Sequence, residues 1–305
     1  MSIVNLGSIN MDLVVHAPQL PKPGESLTGT SFHTTPGGKG ANQAVACARL
    51  GIQTHMIGRV GNDVFGNALQ ENLAKYGVDI QGISVEKDQP SGVALIAIDE
   101  FGENNIIVVP GANSTVGQAE LRHLESYLSG AKILLLQLEI PMEIVLAAAK
   151  KAHQSGITVI LDPAPAQSLP EELYPFVDIL TPNTTEATIL AGFPVEKKTD
   201  AEKAAGIFLD RGVQRVIIKM GVMGAYLKDQ STERLYPALP VKAVDTVAAG
   251  DAFNGALSAA LSLGFNLEEA MHWAIAAGAI AVTRAGAQTA MPDRDELLKF
   301  MNSSK

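Results

Sequence analysis

The stretch AKILLLQLEIPMEIVLAAAKKAHQSGITVILDPAP, residues 131–165, decides the fold class. It opens on a continuous apolar run, AKILLLQLE (131–139), the mark of a strand buried on both faces. PMEIVLAAAKKAHQSG (141–156) follows, with apolar residues at helical spacing, proline in the first turn and a glycine to end it. ITVILDPAP is a second buried strand. Strand, helix and strand in this order form a crossover, and predict a parallel sheet covered by helices on both faces. The rhythm continues with a strand in VDILTPN, a helix at about 184–192, a helix in DAEKAAGIFLDRG (200–212) and a strand in VQRVIIKMG (213–221). At the other end of the chain, SIVNLGSI (2–9) is a strand able to join the same sheet.

Two stretches break the rhythm. Residues 12–36 and 91–110 read as strands and turns with no helix between them. SGVALIAID, a turn at EFGEN and NIIVVP form a hairpin, and DLVVHAP and ESLTGTSFHTTP supply two more strands. The expectation is a single α/β domain over 1–305 with a small β-subdomain made of two insertions. Such a flap either covers a pocket on the main sheet or offers its apolar face to a second subunit.

Composition narrows the function. With 47% hydrophobic and 18% charged residues, the chain has the means for a sizeable core and is no disordered segment. A net charge of −9 argues against a nucleic-acid partner, but a nest of backbone amides binds phosphate without net positive charge. Cys47 is the only cysteine, so no disulfide framework exists within the chain; in ANQAVACARLG it reads as a buried small hydrophobe. MSIVNLGSINMD lacks a basic and apolar leader, and no run of 18 apolar residues occurs, so the expected setting is cytoplasmic, with no membrane partner. None of the six histidines pairs at metal-ligand spacing.

The chemistry centres on DTVAAGDAFNGAL (245–257). Asp251 stands behind Ala248, Ala249 and Gly250 at the mouth of a helix. An acidic side chain there complements the helix dipole. The same geometry places unpartnered N–H groups beside a carboxylate, which suits binding an anion and removing a proton in one place. PGGKGANQA (36–44) fails the Walker A pattern, since His33 and Gly40 stand where Gly and Ser or Thr are needed, and no GxGxxG occurs. It is either a turn feeding a helix at 41–50, or a floor where Gly37, Gly38 and Gly40 admit a ligand and Lys39 and Asn42 donate to it. GSINMD (7–12) follows the first strand, at the edge where open α/β sheets bind ligands; Asn10 and Asp12 there suit sugar hydroxyls, or form an Asx turn. Glu139 ends a buried strand and is either a second carboxylate on that edge or a solvated charge. In PNTTEA, Asn183 and Glu186 have capping-box spacing and share that edge, where they could also orient a hydrated Mg2+. KMGVMGA (219–225) is a hairpin turn, or a glycine floor under a flat base.

Together, GSINMD, PGGKGANQAVACARLG, SGVALIAIDEFGEN, QLEIP, DPAPA, TPNTTEA and VDTVAAGDAFNGAL resemble the ribokinase or PfkB sugar-kinase family, in order and over nearly the whole length. The AAGD segment marks the family; GSINMD, GGKGANQA and the glutamate of QLE resemble its ribose branch. The resemblance implies a Rossmann-like, three-layer α/β domain with a small β-sheet lid, often the contact of a homodimer. It implies ATP-dependent phosphorylation of D-ribose at the 5-hydroxyl. Asn10, Asp12, Gly38, Lys39, Asn42 and Glu139 would hold the sugar, and Asp251 would be the base. The amides of Ala248, Ala249, Gly250 and Asp251 would form the anion hole. Asn183 and the turn from Lys219 through Gly221 to Gly224 would meet the nucleotide, with Ile275 where His or Asn often flanks the adenine. Glu186 would act on Mg2+ through water. Asp245, Val247, Ala281, Arg284, Gly286 and Ala290 match the family's K+ positions, several through backbone carbonyls, with Ala290 where a serine can serve.

Overall fold

The computed structural model describes residues 2–303. In chain order the first half comprises β1 (Ser2–Leu6), β2 (Asn10–His16), β3 (Ser31–Gly37), α1 (Lys39–Arg49), β4 (Gln53–Gly61), α2 (Val64–Lys75), β5 (Asp79–Glu86), β6 (Gly92–Ile98), β7 (Asn104–Val109) and α3 (Gln118–Leu128). The second comprises β8 (Ala131–Leu136), α4 (Met142–Gln154), β9 (Thr158–Leu161), β10 (Ile179–Leu180), α5 (Thr184–Ala191), α6 (Lys198–Asp210), β11 (Arg215–Lys219), β12 (Ala225–Lys228), β13 (Glu233–Tyr236), α7 (Ala249–Ser262), α8 (Leu267–Ala281) and α9 (Arg294–Ser303).

The main sheet runs β13-β12-β11-β10-β9-β8-β1-β4-β5. From β11 to β5 every pairing is parallel; β12 and β13 turn back antiparallel at one edge. Alternation along the strands serves two cores. Ile3, Ile133 and Leu135 join α1, α7 and α8 on one face, while Val4, Leu134 and Leu136 join α3, α4 and α6 on the other. The small residues expected in α7 bring it close to α1: a Cβ at Gly255 would lie 2.3 Å from that of Ala46. Cys47 is fully buried in this interface.

Chain order reverses direction between β1 and β8: β1, β4 and β5 step one way and β8 to β11 the other. A crevice opens at the carboxyl ends of strands at such a switch point. Glu139 follows β8, Asp162 follows β9 and Asn183 follows β10, so parallel pairing alone delivers them to one edge with the loop after β1.

The two interrupted stretches form a separate sheet, β3-β2-β6-β7, with β2 and β6 parallel and the outer pairs antiparallel. Its register sorts the side chains. Asn10, Asp12, Ala94 and Ile96 share one face; Leu13, Val15, Phe32, Leu95, Ile107 and Val109 share the other. The strand expected from residue 25 begins only at Ser31, because residues 22–25 close a turn from Glu25 N–H to Lys22 O and the chain re-enters the ladder only where Thr30 N–H meets His16 O. The parallel crossovers also start earlier than the sequence rhythm suggested, since β1, α1, β4, α2 and β5 already form two of them.

Candidate active site

Asp251 is the third residue of α7 and is 5% exposed. Its two oxygens accept from Asn42 Nδ2 at 2.9 Å and Gln43 Nε2 at 3.0 Å. Burial is the main reason its carboxyl is pushed up to about 6, helped by the charge of Asp162 and opposed by Lys39 and the two amide donors. The first-turn amides of a helix have no acceptor within it. Here Ala248, at the N-cap, has φ 58°, the only positive φ at a non-glycine among the described residues. That left-handed turn stores strain where the helix begins, beside the amides expected to form the anion hole. Ala249 N–H makes one long contact, 3.4 Å, to Thr246 O. Gly250 faces Lys219, whose Nζ would lie 3.3 Å from an added Cβ.

The residues expected to hold the sugar gather at the switch point. Glu139 accepts from Ser8 Oγ and, at 3.2 Å, from Lys39 N–H at the start of α1. Asn10 Oδ1 accepts from Asn113 Nδ2 at 2.7 Å, which turns the amide N–H pair of Asn10 free of that contact. Asp12 is pushed up to about 7 by burial first, then by the charges of Glu139 and Asp251, with Lys39 pulling the other way. For the Lys39 ammonium burial opposes charge, but Asp251, Glu139, Asp162 and Glu186 outweigh it and hold its pKa above the ordinary value. Gly38 has φ 88°, and a Cβ there would come within 2.7 Å of Asn10 N. That close approach is why α1 begins against the GSINMD backbone. The helix therefore starts at Lys39 rather than 41, and Lys39 presents both its N–H and its ammonium.

Beyond Asp251 lies a cavity of about 790 Å3, lined by Lys39, Asn183, Glu186, Lys219, Gly221, Gly224, Gly250, Asp251 and Ile275 among others. Lys39 and Asp251 thus border both this cavity and the cluster of Asn10, Asp12 and Glu139. Asn183 and Glu186 form the expected capping box: Asn183 Oδ1 accepts from Glu186 N–H at 2.8 Å, and the Glu186 carboxylate accepts from Asn183 N–H at 2.7 Å. Burial raises the Glu186 pKa, with Lys219 opposing it and Asp162 adding to it. A carboxylate has about four acceptor positions, so capacity remains for a hydrated cation. Gly224, φ 100°, has Tyr236 O 1.9 Å from where a Cβ would sit; the hairpin closes only with glycine there.

The segments matched to a cation loop are tied together. Asp245 accepts from Val247 N–H at 2.9 Å and from Gly286 N–H at 3.0 Å, and Val282 O accepts from Val244 N–H at 2.7 Å. Ala281 O accepts from Arg284 N–H at 3.2 Å, while the Arg284 guanidinium turns to Glu296 at 2.8 Å. Ala290 is fully buried in a short turn (Gln288–Ala290).

Four residues that matter here were not singled out in the sequence. Gln43 holds Asp251; Asp162 pairs with Lys219 at 2.8 Å; Asn113 holds Asn10; Ser8 holds Glu139. Asp162 carried the same signal as Glu139, an acid directly after a buried strand. Gln43, Asn113 and Ser8 are uncharged and gave none.

With this geometry in view, the chain matches the pfkB family carbohydrate kinase model over residues 1–294, and it belongs to that family. It is 42% identical over 296 residues to a ribokinase of Haemophilus influenzae, covering 97% of each chain. It is 34% identical to a deoxyribokinase of Salmonella typhi, covering 99% of each. The structure superposes on that of Arabidopsis thaliana ribokinase complexed with ribose and ATP with a TM-score of 0.92, 35% identity and 98% coverage of both chains. Among the described residues, no helix is long and apolar enough to cross a membrane.

Proposed function

We infer that this protein transfers the γ-phosphoryl group of ATP to the 5-hydroxyl of D-ribose, giving D-ribose 5-phosphate and ADP. The observation that carries it is the place of Asp251: buried, at a helix N-terminus, between a cluster of sugar-binding groups and a nucleotide-sized cavity. Asn10, Asp12, Gly38, Lys39, Asn42 and Glu139 hold the sugar hydroxyls. Asp251 takes the hydroxyl proton as the oxygen attacks in line. Charge growing on the transferring group meets the amides of Ala248, Ala249, Gly250 and Asp251 and the ammonium of Lys39. Lys219 and the turn from Gly221 to Gly224 hold the nucleotide, with Ile275 as an apolar flank. Glu186, through water, and Asn183 would hold Mg2+, which would supply charge neutralisation on the phosphates. Asp245, Val247, Ala281, Arg284, Gly286 and Ala290, several of them through backbone carbonyls, would hold K+, which would supply positive charge beside the loop that carries the anion hole.

Another sugar or a nucleoside is the second reading, because the chain is also 34% identical to a deoxyribokinase over 99% of each chain. A coupled assay for ADP release, with ribose, 2-deoxyribose, fructose and adenosine in turn and K+ or Na+ as the salt, tests both. Ribose turnover raised by K+ is the expected result. Turnover with another substrate alone discards the roles of Asn10, Asp12 and Glu139; ribose binding without turnover makes the protein a sensor.

The outer face of the lid carries an apolar stripe, with Phe32 61% and Ile107 63% exposed, and this supports a homodimer contact there. Ile107→Lys is expected to yield a monomer by light scattering after size exclusion. An unchanged dimeric mass would move the interface elsewhere.

A further inference from the structure

We propose that Gln43 is a positioning residue that holds two carboxylates, Asp251 and Asp162, with the two hydrogens of one amide, and so ties the sugar-side base to the nucleotide-side Lys219. The inference rests on the reading of Asp251 as base.

Gln43 Nε2 donates to Asp251 at 3.0 Å and to Asp162 at 2.9 Å. An ionised carboxylate only accepts, so two of them on one side fix which way the amide points. Its oxygen then faces Gln137 Nε2 at 2.7 Å, and that nitrogen also reaches Asn5 Oδ1 at 3.1 Å. Gln43, Gln137 and Asn5 are fully buried, so neither rotation nor water can replace the bonds. The other oxygen of Asp251 is held by Asn42, itself held by Gln288 at 3.1 Å.

The charges around Asp251 are few. Lys39 comes from α1, Asp162 from the end of β9 and Asp12 from β2, whose own titration feels Asp251. Lys219, from the end of β11, is paired with Asp162. Glu139 and Glu186 act on Lys39. Helix α8 lines the cavity with Ile275, Gly278 and Ala279, and adds no charge. Two like charges therefore converge, and Gln43 is the group that bonds both. Its hydrogen bond favours the ionised form of Asp251; without it the base holds its proton to higher pH.

The test uses Gln43→Met, of similar length with no donor, and Gln43→Glu, of the same shape with a third carboxylate. kcat and KM for ribose are measured against pH, with melting curves and ribose binding in the absence of nucleotide. In Gln43→Met the acid limb of kcat is expected to move up by about one pH unit, so that kcat below the limb falls about tenfold and recovers in alkali. Gln43→Glu moves it further. An equal loss of kcat at all pH in both variants, or no loss, would reduce Gln43 to packing and overturn the proposal. Gln137→Met, one bond further from the base, shifts the limb the same way by less; it keeps the proposal testable if a Gln43 variant melts early, and an unmoved limb there counts against it. Asp251→Asn is run beside them. Near-parental turnover in that variant removes the base reading itself, whereas an inactive Asp251→Asn with an unmoved limb in Gln43→Met defeats the Gln43 proposal alone.

Discussion

Asp251→Asn lowers kcat by about 10²- to 10⁴-fold, the range for loss of a positioned general base, while the fold and the binding of ribose persist. The asparagine keeps the shape and one acceptor for the amides of Asn42 and Gln43, which lie 2.9 and 3.0 Å away, but cannot take a proton. The stability of the variant carries a second signature. The carboxyl is raised to about 6 in the folded state, so its contribution is fully present below the unfolded pKa and is lost as pH rises through 6. A shift of roughly two units corresponds to about 3 kcal/mol. Above that pH the folded parent carries an ionised buried acid that the variant lacks. The difference in Tm, variant minus parent, therefore grows from pH 5 to pH 8, minus the cost of one donor left facing a donor. Turnover near that of the parent would sink the catalytic assignment; a flat Tm difference across pH would sink the electrostatic one.

Gly38→Ala is the second large effect, with ribose KM raised about 100-fold, the cost of an ångström-scale misplacement. Gly38 sits at φ 88° with Asn10 N 2.7 Å and Ser8 O 2.9 Å from an added Cβ. Those atoms are backbone and belong to the loop that presents Asn10 and positions Ser8 against Glu139. A methyl group there drives the loop from the start of α1, so the sugar-side groups separate and Lys39 moves with its helix. At φ 88° and ψ 131° the backbone lies outside any well that alanine readily adopts, which adds strain of roughly 1–3 kcal/mol. Steady-state kinetics with ribose varied at saturating ATP, beside the KM for ATP, checks it. A ribose KM within a few-fold of the parent's would show that the loop and α1 have room to part.

Much of this site was legible because charged or glycine residues at strand ends announce themselves. Asp251 behind AAG, Glu139 after ILLLQL, and Asn183 with Glu186 each combine a chemical group with a local rule, and the structure brings Asn42, Lys39, Asp251 and Glu139 into one charge-coupled cluster. Gln43, Asn113 and Ser8 were not legible. Their chemistry is neutral, and their importance comes only from what stands opposite them. Gln43 meets Asp251 208 residues away, and Asn113 meets Asn10 at a separation of 103.

Periodicity along the chain specifies the parallel alternation of strands and helices from residue 131 onward, the two-stretch lid and the strand ends where the candidate site residues stand. Each follows from local periodicity: apolar runs must be buried, and the carboxyl ends of parallel strands emerge together. Long-range packing sets the direction in which strands add, and hence that β1 and β8 part to form the crevice. It alone decided the left-handed turn at Ala248 and the amide that joins Asp251 to Asp162. Those depend on which segments meet across the core, and close packing of α1 against α7 sets that, through contacts no local pattern records.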